Sequence, residues 1–118
     1  MSRKREKNRS NDLDRVLVKV DLSAPDLRES LKALEKLDRV NFESLVRKVQ
    51  TLTWAQVYRN PGIKWEAVKQ PLTAFPDGVD RMYSARFSRS RRVLAYRRDE
   101  YMIFLLIRKD HDATYTVH

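Results

Sequence analysis

The order of periodic segments in this chain predicts an α+β domain, with an N-terminal strand, an antiparallel helical hairpin and a three-stranded antiparallel meander in one twisted sheet. Three observations support this fold class. Residues 16–22 alternate like a strand, residues 25–60 carry apolar side chains at helical spacing, and residues 82–107 return to the period of strands. The helical pair should cover one face of the sheet and leave the other face to arginines.

The length of the chain, 118 residues, predicts one domain with one core. Residues 1–12 contain five basic residues and two acidic residues, and no apolar residue follows Met1 in this stretch. We expect them to form a disordered basic arm, either a solubilising tail or an accessory nucleic-acid contact. Residues 13–118 should then form the single folded domain.

The composition favours some partners and excludes others. The net charge of +9 favours nucleic acid or an acidic protein partner. The longest apolar run, at residues 101–107, is too short to cross a bilayer, and no secretory signal is evident. The chain has no cysteine, which excludes disulfides and thiolate metal sites. We therefore expect a cytoplasmic protein without metal, cofactor or membrane contact.

The first strand, at residues 16–22, is followed by two helix signals. Ser23, Pro25 and Asp26 form a helix start with Ser23 as its cap, and a leucine face continues to about Leu37. Residues 38–40 are expected to be a short joint. Asn41 is expected to cap a second helix that continues until Asn60-Pro61-Gly62 ends it. So short a joint predicts an antiparallel helical pair, with Trp54 in the core or facing a partner.

Three strands are expected after an irregular segment, residues 64–79, in which residues 65–68 form either a helical turn or a short strand. The strands span residues 82–88, 92–98 and 101–107. The last is apolar on both faces, as in a central strand. On the first, Tyr83, Ala85 and Phe87 should lie on one face, with Ser84, Arg86 and Ser88 on the other.

Arginine dominates this last third of the chain. Residues 81–98 contain seven arginines and no acidic residue. A guanidinium can bind two phosphate oxygens at once, so a sheet that holds such an array is suited to a polyanion, RNA above all.

Several motifs in this order resemble toxins of the RelE/ParE superfamily, in particular the branch described as cytotoxic translational repressors. The resemblance covers residues 16–115. The matching segments are Leu31–Leu37, Asn60-Pro61-Gly62, Tyr83-Ser84-Ala85-Arg86, Arg92-Val93-Leu94-Ala95 and His111-Asp112-Ala113-Thr114-Tyr115. The sequence departs from the family at Arg91, where an aromatic residue is usual, and in its basic arm.

The resemblance implies the toxin of a type II toxin–antitoxin pair, neutralised by a cognate antitoxin. Such toxins cut messenger RNA on the ribosome without a metal, by attack of a 2′-hydroxyl on the adjacent phosphate. On this reading Arg86 and Arg92 hold the phosphate, His111 exchanges a proton, and Tyr115 stacks on a base or donates its hydroxyl proton. A surrounding phosphate-attracting surface is expected from Arg89, Arg91, Arg97 and Arg98.

Structural roles are alternatives for each candidate catalytic residue. Arg86 could pair with an antitoxin carboxylate or an internal acid, and Arg92 with Asp99 or Glu100. His111 could cap the last strand, and Tyr115 could cover the sheet edge.

Two further functions remain open from the sequence. One is a non-enzymatic toxin that binds DNA gyrase, and the other is a plain RNA- or DNA-binding module of the same fold. No lysine occurs between Gln70 and Arg108, whereas ribonucleases of this family often combine Lys, Arg and Tyr. We expect the free protein to be a monomer or a weak dimer.

Overall fold

The structure, a computed structural model, describes residues 13–69, 76–79 and 81–109. The predicted basic arm lies outside the described residues, as do His111 and Tyr115. The three helices are α1 (Pro25–Lys32), α2 (Lys36–Gln50) and α3 (Trp54–Arg59), and residues 13–15 are also helical. The five strands are β1 (Lys19–Asp21), β2 (Glu66–Ala67), β3 (Tyr83–Arg86), β4 (Arg91–Arg98) and β5 (Tyr101–Lys109).

The strands form one sheet in the order β1-β5-β4-β3-β2. The strands β3, β4 and β5 pair antiparallel in sequence order, which is the predicted meander, and β1 pairs parallel with β5. The α+β class is therefore confirmed. The strand β2 extends the sheet beside β3, and this settles the open choice between a helical turn and a strand at residues 65–68.

The start of α1 differs from the prediction in its cap. Pro25 is the first helical residue as expected, but the N-cap is Ala24, which makes no side-chain hydrogen bond. The Ser23 side chain is used elsewhere, because its Oγ and its backbone N both donate to Asp21 Oδ1, at 2.6 and 2.8 Å. The predicted cap at Ser23 is therefore wrong.

The predicted joint at residues 38–40 and the predicted cap at Asn41 are also wrong, because both lie inside α2. The chain turns earlier, between α1 and α2. There the backbone N–H groups of Ala33 and Leu34 donate to Ser30 and Leu31, and Glu35 becomes the next N-cap. This turn contains neither glycine nor proline, so the sequence carries no turn signal there.

The second predicted helix is divided into α2 and α3. Thr53 caps α3 by accepting from the Gln56 backbone N at 3.2 Å, and Gln56 Oε1 accepts from the Thr53 backbone N at 2.8 Å. These reciprocal bonds form a capping box, which begins a new helix. The predicted stop at Asn60 is confirmed, because Asn60 Oδ1 accepts from the backbone N–H groups of Gly62 and Ile63.

The main core lies between the helices and one sheet face. Phe42, Val49 and Trp54 pack there with strand residues that include Val93 and Phe104. Trp54 is fully buried and donates its indole N–H to the Glu100 carbonyl at 2.9 Å, which agrees with its predicted core position.

A smaller apolar cluster lies on the opposite sheet face and consists of Val68, Met82, Leu94 and Leu106. The expectation that arginines alone occupy that face therefore needs correction. Every helix in the described part of the chain is too short or too polar to span a bilayer.

Candidate nucleic-acid interface

The arginines of β4 are divided between the two faces of the sheet. Val93 and Ala95 belong to the helix-side core, so Arg91 and Arg97 lie on that side by the alternation of a strand. Arg92 and the other even-numbered residues of β4 lie on the opposite face. We call this second face the outer face; its β3, β4 and β5 residues include Ser84, Arg86, Arg92, Leu94, Tyr96, Arg98, Leu106 and Arg108.

Three arginines form a row across the outer face. Arg92 on β4 lies opposite Arg86 on β3, and opposite Arg108 on β5. Directly paired residues of antiparallel strands point to the same face, and adjacent strands lie about 4.8 Å apart. The row therefore places three guanidinium-bearing side chains on one side of three consecutive strands. We call Arg86, Arg92 and Arg108 the arginine row.

Arg108 reaches the row through an irregularity in β5. Leu94 pairs with Leu106 while Ala95 pairs with Phe104, so Leu105 is an extra residue at a β-bulge. Without the bulge, strict alternation from the helix-side Phe104 would turn Arg108 toward the helices. The bulge reverses the alternation and turns Arg108 to the outer face. Sequence reasoning missed Arg108, because the predicted strand ended at residue 107 and alternation within that strand could not reveal the bulge.

Arg92 is the most buried member of the row, with 6% of its surface exposed. Its Nη1 donates to Glu66 Oε1 at 3.0 Å and to Ser84 Oγ at 3.2 Å. Among the residues that the structure describes, Arg92 forms an ion pair with Glu66. The alternatives expected from the sequence were Asp99 and Glu100. The Glu66 side chain is 54% exposed, so its carboxylate also faces solvent beside the arginine row. No sequence pattern pointed to Glu66, which comes from the short strand β2.

The remaining predicted arginines do not join the row. Arg91 Nε donates to Asp38 Oδ2 at 3.1 Å, which ties β4 to α2. Arg97 Nη1 donates to Asp14 Oδ1 and to the Tyr58 hydroxyl, both at 2.6 Å. Both arginines therefore make their contacts within the fold, on the helix side.

Two predicted arginines are exposed. Arg98 lies on the outer face and donates from Nη2 to the Asp77 carbonyl at 3.2 Å. Arg89 lies in the turn between β3 and β4. Within residues 13–69, 76–79 and 81–109, no group of three potential ligands is arranged to hold a metal ion.

The fold and the arginine row together define an α+β domain with a basic sheet face. Among solved structures, a chain of the archaeal RelE–RelB complex from Pyrococcus horikoshii is similar, with 19% identity and a TM-score of 0.54. The match covers 83% of this chain and 100% of that chain. The protein thus has a RelE-like fold. No family model and no curated protein matches the sequence.

Proposed function

We propose that this protein is the toxin of a type II toxin–antitoxin pair and that it cleaves messenger RNA on the ribosome. The observation that carries the proposal is the arginine row, Arg86, Arg92 and Arg108, on the sheet face opposite the helices of a RelE-like fold. Guanidinium groups fixed on neighbouring strands can contact several oxygens of one phosphate group. Such an array suits a reaction at an RNA phosphate.

In the proposed reaction, the 2′-hydroxyl of one nucleotide attacks the adjacent phosphorus and the bond to the 5′-oxygen of the next nucleotide breaks. Negative charge accumulates on the phosphorane oxygens as the new bond forms. The arginine row would stabilise that charge, because strand pairing sets the backbone positions of its three members and hydrogen bonds to Glu66 and Ser84 hold the Arg92 guanidinium in place. The positive charge is supplied by the protein itself, so the scheme requires no metal.

The proton transfers need a base and an acid. Glu66 is our candidate base, because its carboxylate lies 3.0 Å from Arg92 Nη1 and is partly exposed to a ligand on the outer face. His111 was predicted to act as either acid or base, and with Glu66 as the base we propose it as the acid for the leaving oxygen. Tyr115 is still proposed to stack on a base or donate its hydroxyl proton. Ser84, which also bonds to Arg92, would orient that guanidinium.

The surrounding surface would attract RNA. We assign this role to Arg89 and Arg98, which are exposed. Arg91 and Arg97 were included in the sequence-based prediction, but their ion pairs with Asp38 and Asp14 favour a supporting role in the fold.

The proposed partners are an antitoxin and messenger RNA. The similar solved structure is a complex of RelE with RelB, and the net charge of +9 favours an acidic partner. An acidic antitoxin segment laid over the outer face would block the arginine row. We propose that the protein acts in the cytoplasm and is a monomer or weak dimer when free.

Induced expression in bacteria, with mapping of the 5′ ends of cellular messages, tests the proposal. The parent protein should arrest growth and create new ends inside coding regions. Arg86→Gln and Arg92→Gln should abolish both effects, while the matched control Lys36→Gln, an exposed residue at the start of α2, should not. Thermal unfolding of each purified variant shows whether it still folds.

Two results would contradict the nuclease. Growth arrest with DNA damage and without new ends would favour a toxin that acts on gyrase. Normal growth with the parent protein would favour a binding module.

A further inference from the structure

A cavity of about 260 Å³ lies beside the end of β3, away from the centre of the outer face. Its walls come from the middle of α2, from the turn at residues 62–63 and from residues 86–88. Its polar lining includes Asn41, Ser44, Lys48 and Ser88, and its apolar lining includes Ile63 and Phe87. Typical pockets for small organic ligands are about 300–1,000 Å³, so this volume lies just below that range and suits only a small ligand.

The charge of the cavity favours an anion. No carboxylate lines it, and Lys48 has no acidic partner in the part of the chain that the structure describes. The ammonium group lies close to Gly62, because a Cβ at that position would be only 3.1 Å from Lys48 Nζ. The missing side chain at Gly62 thus leaves room for Lys48 at the cavity wall.

The uncharged part of the lining favours a flat ring with a polar edge. Ile63 is 1% exposed and Phe87 packs its ring edge-on against Phe42 at 5.5 Å, so the apolar wall is well supported. Ser88 Oγ is buried and has no hydrogen-bond partner within the described residues. A buried hydroxyl without a partner costs free energy, and a ligand atom that bonds to it recovers that loss. Together with the Asn41 amide, it can bond to the edge of a base.

Arg86 connects the cavity with the arginine row, since it lines the former and is an end member of the latter. We propose that the cavity is a subsite for one nucleotide of the RNA that the arginine row binds. The base lies against Phe87 with its edge at Asn41 and Ser88, and its phosphate contacts Lys48. This inference rests on the proposed function, because it assumes an RNA ligand.

The test is a titration of the ¹⁵N-labelled full chain with nucleoside 5′-monophosphates, and separately with inorganic phosphate, followed by amide chemical shifts. A monophosphate should shift the amides of Gly62, Ile63 and Ser88. Lys48→Gln should weaken this binding about tenfold, as expected for loss of one charge-assisted hydrogen bond. Lys36→Gln lowers the net charge equally and should leave the binding unchanged. Ser88→Ala should weaken monophosphate binding more than phosphate binding.

Three results would overturn the inference: no shifts at those amides, equal binding by the Lys48→Gln variant, or equal binding of inorganic phosphate and monophosphates. The outcome is separable from that of the message-cleavage test. A protein that cuts messages but binds no mononucleotide here retains the proposed function and loses the subsite. A protein that binds mononucleotides here but cuts no message retains the subsite and loses the nuclease.

Discussion

The guanidinium carbon of Arg97 lies 4.4 Å from the ring centroid of Trp54. This stacking joins β4 to the first residue of α3. The same side chain donates to Asp14 and to Tyr58, so it also holds the start of the described chain against the helix side of the sheet. Arg97 therefore links three segments that are far apart in the sequence.

Replacing Arg97 by Met should destabilise the protein by about 1–3 kcal/mol, because the variant loses the cation–π contact and a partly buried ion pair. Urea unfolding of the full chain measures the change. The control is Arg89→Met in the exposed β3–β4 turn, which should change stability by less than about 0.5 kcal/mol. Equal losses in the two variants would show that Arg97 is not such a link.

Replacing Glu66 by Gln should separate RNA binding from cleavage. The amide still accepts a hydrogen bond from Arg92 but is a poor base, so message cleavage should fall by about 10²–10⁴-fold. RNA affinity should rise, because a negative charge beside the phosphate has been removed. Quantified 5′ ends and RNA titration measure the two effects. Glu43→Gln, an exposed acid on α2, is the matched control. Unchanged cleavage in the Glu66 variant would remove Glu66 from the mechanism.

The salt dependence of RNA binding should distinguish the exposed arginines from the internally paired ones. Each phosphate contact to single-stranded RNA contributes about 0.7 to the slope of log affinity against log salt concentration. Arg89→Gln should lower the slope by about that amount. Arg97→Gln should leave it unchanged at a temperature where the variant is folded, because Arg97 contacts Asp14 on the helix side. A lower slope for Arg97→Gln together with an unchanged slope for Arg89→Gln would instead place the bound RNA on the helix side of the sheet.

The capping box that separates α2 from α3 should contribute measurably to stability. Thr53→Ala removes the acceptor for the Gln56 backbone N–H and should cost about 1 kcal/mol. Gln56→Ala removes the reciprocal bond, and the double variant should cost less than the two single losses combined. Gln50→Ala, on the exposed last turn of α2, is the control in the same unfolding experiment. Additive losses would mean that the two bonds act independently.

Asp21 should give the protein a small acid-sensitive contribution to stability. Hydrogen bonds from the Ser23 side chain and backbone N–H lower the pKa of this carboxyl from its ordinary value of 3.8. The folded state thus favours the charged form. The resulting stabilisation is fully present above the unfolded pKa and is lost as the pH falls through the lowered folded value.

Asp21→Asn should therefore be less stable than the parent at pH 7, and the difference should shrink as the pH falls below about 3.8. Melting temperatures measured from pH 7 to pH 2 test this. Ser23→Ala removes one of the two donors and should reduce the pH dependence in the same direction. If the difference in melting temperature between Asp21→Asn and the parent is the same at every pH, the charge of the carboxyl group is not involved.

The sequence predicted those features of the fold that depend on regular periodicity. Alternation in residues 82–107 predicted the meander, and Asn60-Pro61-Gly62 predicted the end of the helical region. The helix starts at Lys36 and Trp54 were missed, because the first has no side-chain cap and the second is set by a Thr53–Gln56 pair inside a continuous apolar pattern.

For the candidate site, alternation placed Arg86 correctly on the face opposite Ala85, but it could not place residues that depend on pairing. The position of Arg108 on the outer face depends on the bulge at Leu105, and the position of Glu66 depends on its pairing with Ser84. Both depend on contacts between segments distant in the sequence, which periodicity within one segment does not contain.

The parallel pairing of β1 with β5 has a consequence for synthesis of the protein. Lys19 and its neighbour in the sheet, Tyr101, are far apart in the sequence, so Tyr101 is synthesised much later than Lys19. At typical elongation rates, the interval between synthesis of Lys19 and synthesis of Tyr101 is on the order of ten seconds. Arg108 follows later still, so Arg86 and Arg92 are synthesised before the residue that completes the arginine row.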